Sequence, residues 1–221
     1  VYPNNGHAAV YPKNLKEGTY LVNVEYFGDA YDNYRYRLKE TYFTVSKSNT
    51  AVEIDVNSTV YGNKVNITVK VDAGVEGNIT IRLNDTEIGT HGIVGGWVNI
   101  TVDDLAAGNY TVYASYSGNG KYNINSTSKG FEVTKVISAI TIQESTADAA
   151  TNATIVVKIN ETATGNITIT VNGTKYNATI ENGVATFTID QLLSGQYDIK
   201  AEYDGDNNYT AAVPVTLTNG L

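Results

Sequence analysis

In this 221-residue chain the side chains arranged for covalent chemistry are asparagines. Thirteen Asn-x-Ser/Thr triplets occur, at Asn57, Asn66, Asn78, Asn84, Asn99, Asn109, Asn125, Asn152, Asn160, Asn166, Asn172, Asn177 and Asn208. This is the acceptor pattern for N-linked sugar, and it marks surface positions of secreted proteins. The chain holds 25 Asn, 28 Thr and ten Ser. Chance placement of those residues gives roughly 4 such triplets. Residues two apart also share one face of a strand, which accounts for Asn66 with Thr68 and Asn166 with Thr168. It accounts less well for Asn57, Asn84 and Asn125, which read as turn positions. Several of the thirteen sites are expected to carry glycans if the protein is secreted.

Residues that usually perform catalysis are scarce. There is no Cys, so neither a disulfide nor a thiolate metal site is available. The two histidines, His7 and, in a stretch that reads as a Gly-rich loop, His91, occupy different positions in the repeats described below. No Gly-x-Ser-x-Gly, His-Glu-x-x-His or phosphate-loop spacing occurs. Asp204-Gly205-Asp206-Asn207 has the look of part of a calcium loop but lacks the spacing and closing Glu of one. Its counterparts at Gly28-Asp29 and Gly118-Asn119-Gly120-Lys121 vary in charge, so a turn is the better reading. Lys70, Lys158 and Lys200 fall on polar strand faces, where an isopeptide crosslink has no buried carboxyl partner. No catalytic residue, cofactor or metal is expected. Trp97 is the only Trp, points outward by alternation, and is a candidate contact surface for a sugar or a neighbouring module. A net charge of −8 argues against nucleic acid and anionic membranes as partners. No run of eighteen apolar residues exists, so no membrane insertion is expected of this segment.

These positions need a frame, and composition indicates strands. Thr and the 17 Tyr favour strands, whereas Asn and the 20 Gly favour turns. The frame is repeated. Gly6–Tyr20, Gly96–Tyr110 and Gly183–Tyr197 align without gaps on Leu15, Leu105 and Leu192. Each is followed by alternating residues and then by Tyr-x-Gly-Asp/Asn, at Tyr26-Phe-Gly28-Asp29, Tyr116-Ser-Gly118-Asn119 and Tyr203-Asp-Gly205-Asp206. The expected organisation is two complete units, residues 48–135 and 136–221, preceded by the second half of another at 1–47. With neither an initiating Met nor a whole first unit, the chain reads as a mature or excised piece.

Within a unit apolar residues recur every second position. Val65, Ile67, Val69 and Val71 alternate with Asn66, Thr68 and Lys70, and Ile79, Ile81 and Leu83 do the same. Ile155/Val157/Ile159, Ile167/Ile169/Val171 and Ala185/Phe187/Ile189 repeat the pattern in the last unit. Period two with one apolar face predicts half-buried antiparallel strands. Asn172-Gly173 and Asn182-Gly183 are hairpin signals. About seven short strands per unit predict a Greek-key sandwich, with no helix beyond a turn near Asp103–Ala107 and Asp190–Ser194. Residues 1–47 predict three strands, near Gly6–Tyr11, Thr19–Phe27 and Tyr36–Val45. Their apolar face of Val10, Tyr20, Val22, Val24 and Phe43 has no opposing sheet. This Tyr-rich, nearly neutral end is a further candidate for contact.

Tyr20, Tyr110 and Tyr197 each stand two residues before an apolar strand position, just after a corner. They look like the tyrosine corner of immunoglobulin-type domains. Leu-x-x-Gly-x-Tyr-x-Val, then Tyr-x-Gly-Asp, then Phe-x-Val, resembles the bacterial-type Ig-like repeats of large surface proteins. The Asn/Thr/Tyr-rich flavour is similar to adhesin-like proteins of methanogenic archaea. The fold class so reached is all-β: tandem immunoglobulin-like Greek-key β-sandwiches, which short linkers would hold in an extended rod. The resemblance implies a non-enzymatic, extracellular, cell-surface stalk whose partners are other cells or surface glycans and proteins. The alternative is a filament or sheath subunit that joins neighbouring copies of itself by β-strand complementation. A glycan-active enzyme is the third and weakest reading.

Overall fold

The computed structural model describes residues 5–28, 34–143, 152–190, 192–193 and 195–218. Among these residues every regular element is a strand. By contact the chain forms two compact units: Val1–Asp55 with Ile67–Ile100 and Thr111–Lys129, and Val56–Asn66 with Thr101–Tyr110 and Gly130–Leu221.

The first strands, β1 (Gly18–Tyr26) and β2 (Arg37–Val45), pair antiparallel from Gly18↔Val45 to Tyr26↔Arg37. The Tyr20 and Phe43 rings stack across this ribbon at 5.4 Å. The expected strand over Gly6–Tyr11 does not form; only His7 makes a bridge. Its counterparts in the later repeats are strands with a neighbour in their own sheet, and residues 1–47 contain no segment matching that neighbour.

Eight strands follow: β3 (Val52–Asp55), β4 (Thr59–Val60), β5 (Val65–Val71), β6 (Asn78–Leu83), β7 (Thr86–Gly92), β8 (Trp97–Val102), β9 (Gly108–Tyr116) and β10 (Asn125–Thr134). They form sheets ordered β3-β5-β8 and β4-β10-β9-β6-β7. The chain changes sheet between β5 and β6, between β7 and β8, and again before β9, which is the Greek-key path. The last seven strands are β11 (Thr141–Ile142), β12 (Ala153–Lys158), β13 (Asn166–Val171), β14 (Thr174–Thr179), β15 (Val184–Ile189), β16 (Ile199–Glu202) and β17 (Val215–Leu217). They repeat the plan as β11-β12-β15 and β14-β13-β16-β17.

Alternation decides what is buried. Val65, Ile67, Val69 and Val71 of β5 are buried while Asn66 and Lys70 between them are exposed. Ile155, Ile167, Ile169, Phe187, Ile189 and Ile199 do the same for the last sandwich. Each fully buried Val, Ile or Phe contributes about 1.5–3 kcal/mol relative to exposure. At Asn172 (φ 47°) and Gly173 (φ 77°) two successive residues turn left-handed and join β13 to β14, the backbone that a two-residue hairpin requires.

The edge strands carry less of the period-two signal. β7 and β14 are hairpin partners of β6 and β13 and carry only weak alternation, because an edge strand buries little. The opening strand of the first sandwich is divided: β3 pairs antiparallel with β5, and β4 pairs parallel with β10. The stretch 103–107 is an irregular corner with Asp104 at φ 57°, not a helical turn. In the matching corner, Gln191 and Ser194 lie outside the described residues.

Candidate functional site

Three corners carry the same hydrogen bond. The hydroxyls of Tyr20, Tyr110 and Tyr197 donate to the carbonyls of Lys16, Ala106 and Leu193, each four residues back and each at 2.9 Å. Tyr110 stacks on Phe131 at 5.5 Å, as Tyr20 stacks on Phe43. Ring and hydroxyl together fix how the chain enters β1 and β9.

A second pair of tyrosines stands at the far ends of β9 and β16. The buried hydroxyls of Tyr116 and Tyr203 donate to the carbonyls of Glu76 at 2.9 Å and Thr164 at 3.0 Å. Burial pushes both phenols above their ordinary pKa, helped at Tyr203 by the neighbouring Asp206 carboxylate. The glycine two residues on is required sterically. A Cβ on Gly205, at φ 89°, would stand 2.8 Å from Tyr209 O and Ala211 N, and one on Gly118 would stand 3.1 Å from Tyr122 O.

The Asp or Asn that follows caps the turn. Asn119 Oδ1 accepts from the N–H groups of Lys121 and Tyr122 at 2.7 and 2.8 Å. Asp206 Oδ1 accepts likewise from Asn208 and Tyr209, at 2.7 and 2.8 Å. The second side-chain atom fits its partner: Asn119 Nδ2 donates to Glu76 O, whereas Asp206 Oδ2 accepts from Thr164 N and Oγ1. Burial raises the Asp206 pKa, but these bonds outweigh it and hold the carboxyl at about 2. Four donors already occupy this carboxylate, so its work is to close the turn. Among the described residues no group of three His, Asp or Glu side chains converges on one point.

The same turns meet a corner. In the first unit the Glu17 N–H donates to Gly120 O at 3.2 Å, and Lys47 pairs with the Glu17 carboxylate at 3.5 Å. Ser48 N donates to Lys121 O, and Asn123 N donates back to Ser48 O, in a parallel bridge. In the second unit the Ala107 N–H donates to Asn208 Oδ1 at 3.0 Å, and Lys135 Nζ donates to Asp206 O at 2.6 Å. Val136 N donates to Asn208 O, and Thr210 N to Val136 O, in the matching bridge. Glu17 and Ala107 are equivalent in the repeat, each directly before the corner glycine. The Tyr61 ring meets the Tyr209 ring edge-on at 5.8 Å. Sequence reading did not find this contact; its one signal is the placement of Asp or Asn after each Tyr-x-Gly.

Eleven of the candidate acceptor asparagines are exposed: Asn57, Asn66, Asn78, Asn84, Asn99, Asn109, Asn125, Asn152, Asn166, Asn172 and Asn177. Asn160 and Asn208 are half-buried, and Asn160 Oδ1 makes no hydrogen bond. Asn125 opens β10 and so is not a turn residue; its Nδ2 donates to Thr50 O. Asn84 sits in the β6–β7 turn and accepts from Thr111 N. Trp97 is 45% exposed, with Lys70 Nζ 5.3 Å from its ring centroid. Next to that pair, Thr68 donates to Asn99 Oδ1 at 2.7 Å and Thr101 donates to Asn66 Oδ1 at 2.9 Å. His91 lies in strand β7, not in a loop, and is half-buried; His7 is exposed.

Strand order, corners and turns define tandem Ig-like β-sandwiches in which β7 lies beside β6 and β14 beside β13. The family model for the bacterial Ig-like domain (group 3) matches residues 52–135 and 140–218. The chain belongs to that family. No curated protein matches it. Among solved structures it is similar to the fibronectin(III)-like modules of Clostridium thermocellum CbhA, at 15% identity over 75% of this chain and 91% of that one, with a TM-score of 0.33. It is also similar to titin A168–A169, at 13% identity over 77% and 97% of the two chains, with a TM-score of 0.38.

Proposed function

We propose that this chain is a non-enzymatic structural or adhesive segment: an extracellular stalk of Ig-like modules from an adhesin-like cell-surface protein. The observation that carries this reading is the repeated junction. Equivalent corner N–H groups, Glu17 and Ala107, are held by equivalent turns, and equivalent residues Ser48 and Val136 bridge to those turns. What recurs in the repeats is packing and joining; among the described residues no cluster of His, Asp and Glu recurs with it. A stalk needs joints that hold under load, and hydrogen bonds from main-chain N–H groups supply them. Binding would then fall to surface residues or to parts of the parent protein beyond this segment.

A filament subunit is the second reading, and one observation favours it. Val24 and Tyr26 of β1 are 56% and 40% exposed, whereas Ala114 and Tyr116, their counterparts in β9, are 0% and 2% exposed. A ribbon with its core face open invites strands from a second copy. Sedimentation velocity and electron microscopy of the intact chain separate the two readings. A monomer at every concentration supports the stalk. Polymers that vanish on deleting residues 1–47 would establish the filament in its place.

A further inference from the structure

Asn99 differs from every other candidate acceptor. Its outward neighbour two residues before is Trp97, the only Trp in the chain. At the other twelve sites that position holds Asp, Lys, Glu, Arg, Ala, Asn or Thr. Both residues lie in β8 and both are exposed. Same-face neighbours on a strand stand about 6.6 Å apart, close to the width of one pyranose ring.

The amide of Asn99 is also set for modification. Its Oδ1 accepts the Thr68 hydroxyl, which fixes the side chain and leaves Nδ2 as the free group. Asn125, by contrast, spends its Nδ2 on Thr50 O. The Trp97 ring already attracts positive charge, with the Lys70 ammonium 5.3 Å from its centroid. The C–H face of a sugar presents partial charge of the same sign to that π-surface.

We propose that Asn99 carries an N-linked glycan whose first sugar stacks on Trp97, so that the outward face of β5 and β8 is a sugar-covered face. The inference rests on the extracellular reading above. In the modification a bond forms between Asn99 Nδ2 and the anomeric carbon of a sugar supplied by a polyisoprenoid-phosphate-linked donor. The bond from that carbon to the phosphate oxygen breaks, the phosphate leaves with the electron pair, and Nδ2 gives up one proton to a base of the glycosyltransferase.

Because Trp97 is the sole Trp, its fluorescence reports the contact directly. The full chain is secreted from a host that N-glycosylates, site occupancy is read by mass spectrometry, and acrylamide quenching is measured before and after enzymatic release of the glycans. The expected result is an occupied Asn99 and a quenching constant that rises about twofold on release, as a covered ring becomes open. Thr101→Val, which removes the acceptor pattern but keeps Asn99, should show the open value from the start. Asn99 occupied with quenching unchanged on release overturns the stacking. Asn99 bare while other sites are occupied overturns the inference and leaves the extracellular reading standing. All thirteen sites bare, in this material and in protein from its own source, would overturn the inference and the expectation of glycans with it.

Discussion

The N–H of Ala107 donates to the side-chain oxygen of Asn208, 101 residues further along the chain, at 3.0 Å. Its equivalent, Glu17, donates instead to a main-chain oxygen, that of Gly120. The two junctions therefore respond differently to side-chain substitution. Asn208→Ala should lower the stability of the second unit by about 1 kcal/mol, the worth of one such bond. Urea unfolding followed by Tyr fluorescence measures it, and no substitution at Gly120 that keeps the backbone should have a matching effect.

Tyr110→Phe and Tyr197→Phe remove the corner hydroxyl and leave the ring. Each should cost about 1 kcal/mol, which for a module of this size is a fall in Tm of roughly 4–8 °C. Differential scanning calorimetry reads both. An unchanged Tm in the two variants would mean that the hydroxyl bond contributes nothing at this position.

Acid should act on the last sandwich through Asp206. Its folded pKa of about 2 lies below the ordinary 3.8, so the unfolded chain takes up the proton first. The stability from its four bonds is fully present above about pH 4 and is lost as pH falls through about 2. Asp206→Asn should flatten that profile. It should also weaken the turn at neutral pH, because an amide N–H would then face the Thr164 N–H. The first sandwich, with Asn119 at this position, has no such acid dependence from its turn. Unfolding midpoints between pH 2 and pH 7 test the sign.

Two glycines with similar backbones should differ in tolerance. Gly173, at φ 77°, has nothing near the place of a Cβ, so Gly173→Ala should cost about 1–2 kcal/mol from the left-handed backbone alone. Gly205→Ala should cost clearly more, because the added methyl meets Tyr209 O and Ala211 N at 2.8 Å. Equilibrium denaturation of the two variants ranks them.

The sandwich strands that bury one face, such as β5 and β13, are legible in the sequence because period two survives in every residue. β7 is not, since an edge strand needs a neighbour's hydrogen bonds and little burial, and β14 is marked only by the Asn172-Gly173 hairpin signal before it. The divided first strand escapes for the same reason: β4 is two residues long and its pairing with β10 is made by the main chain. The corner tyrosines can be read because donor and acceptor lie four residues apart. The Ala107–Asn208 contact cannot, because one partner is a backbone N–H and the other is distant in sequence. His91 shows the reverse error, a Gly-rich stretch read as a loop that the β6 pairing turns into a strand.

Native-state amide exchange at Glu17 and Ala107 tests the repeated junction most directly. Both N–H groups lie in corners outside the strand ladders, where nothing but the contact with the turn would protect them. Slowed exchange is expected at both in the intact chain, with Asn208→Ala releasing Ala107 and leaving Glu17 protected. Exchange of both at the rate of an unstructured peptide in the intact chain would contradict it.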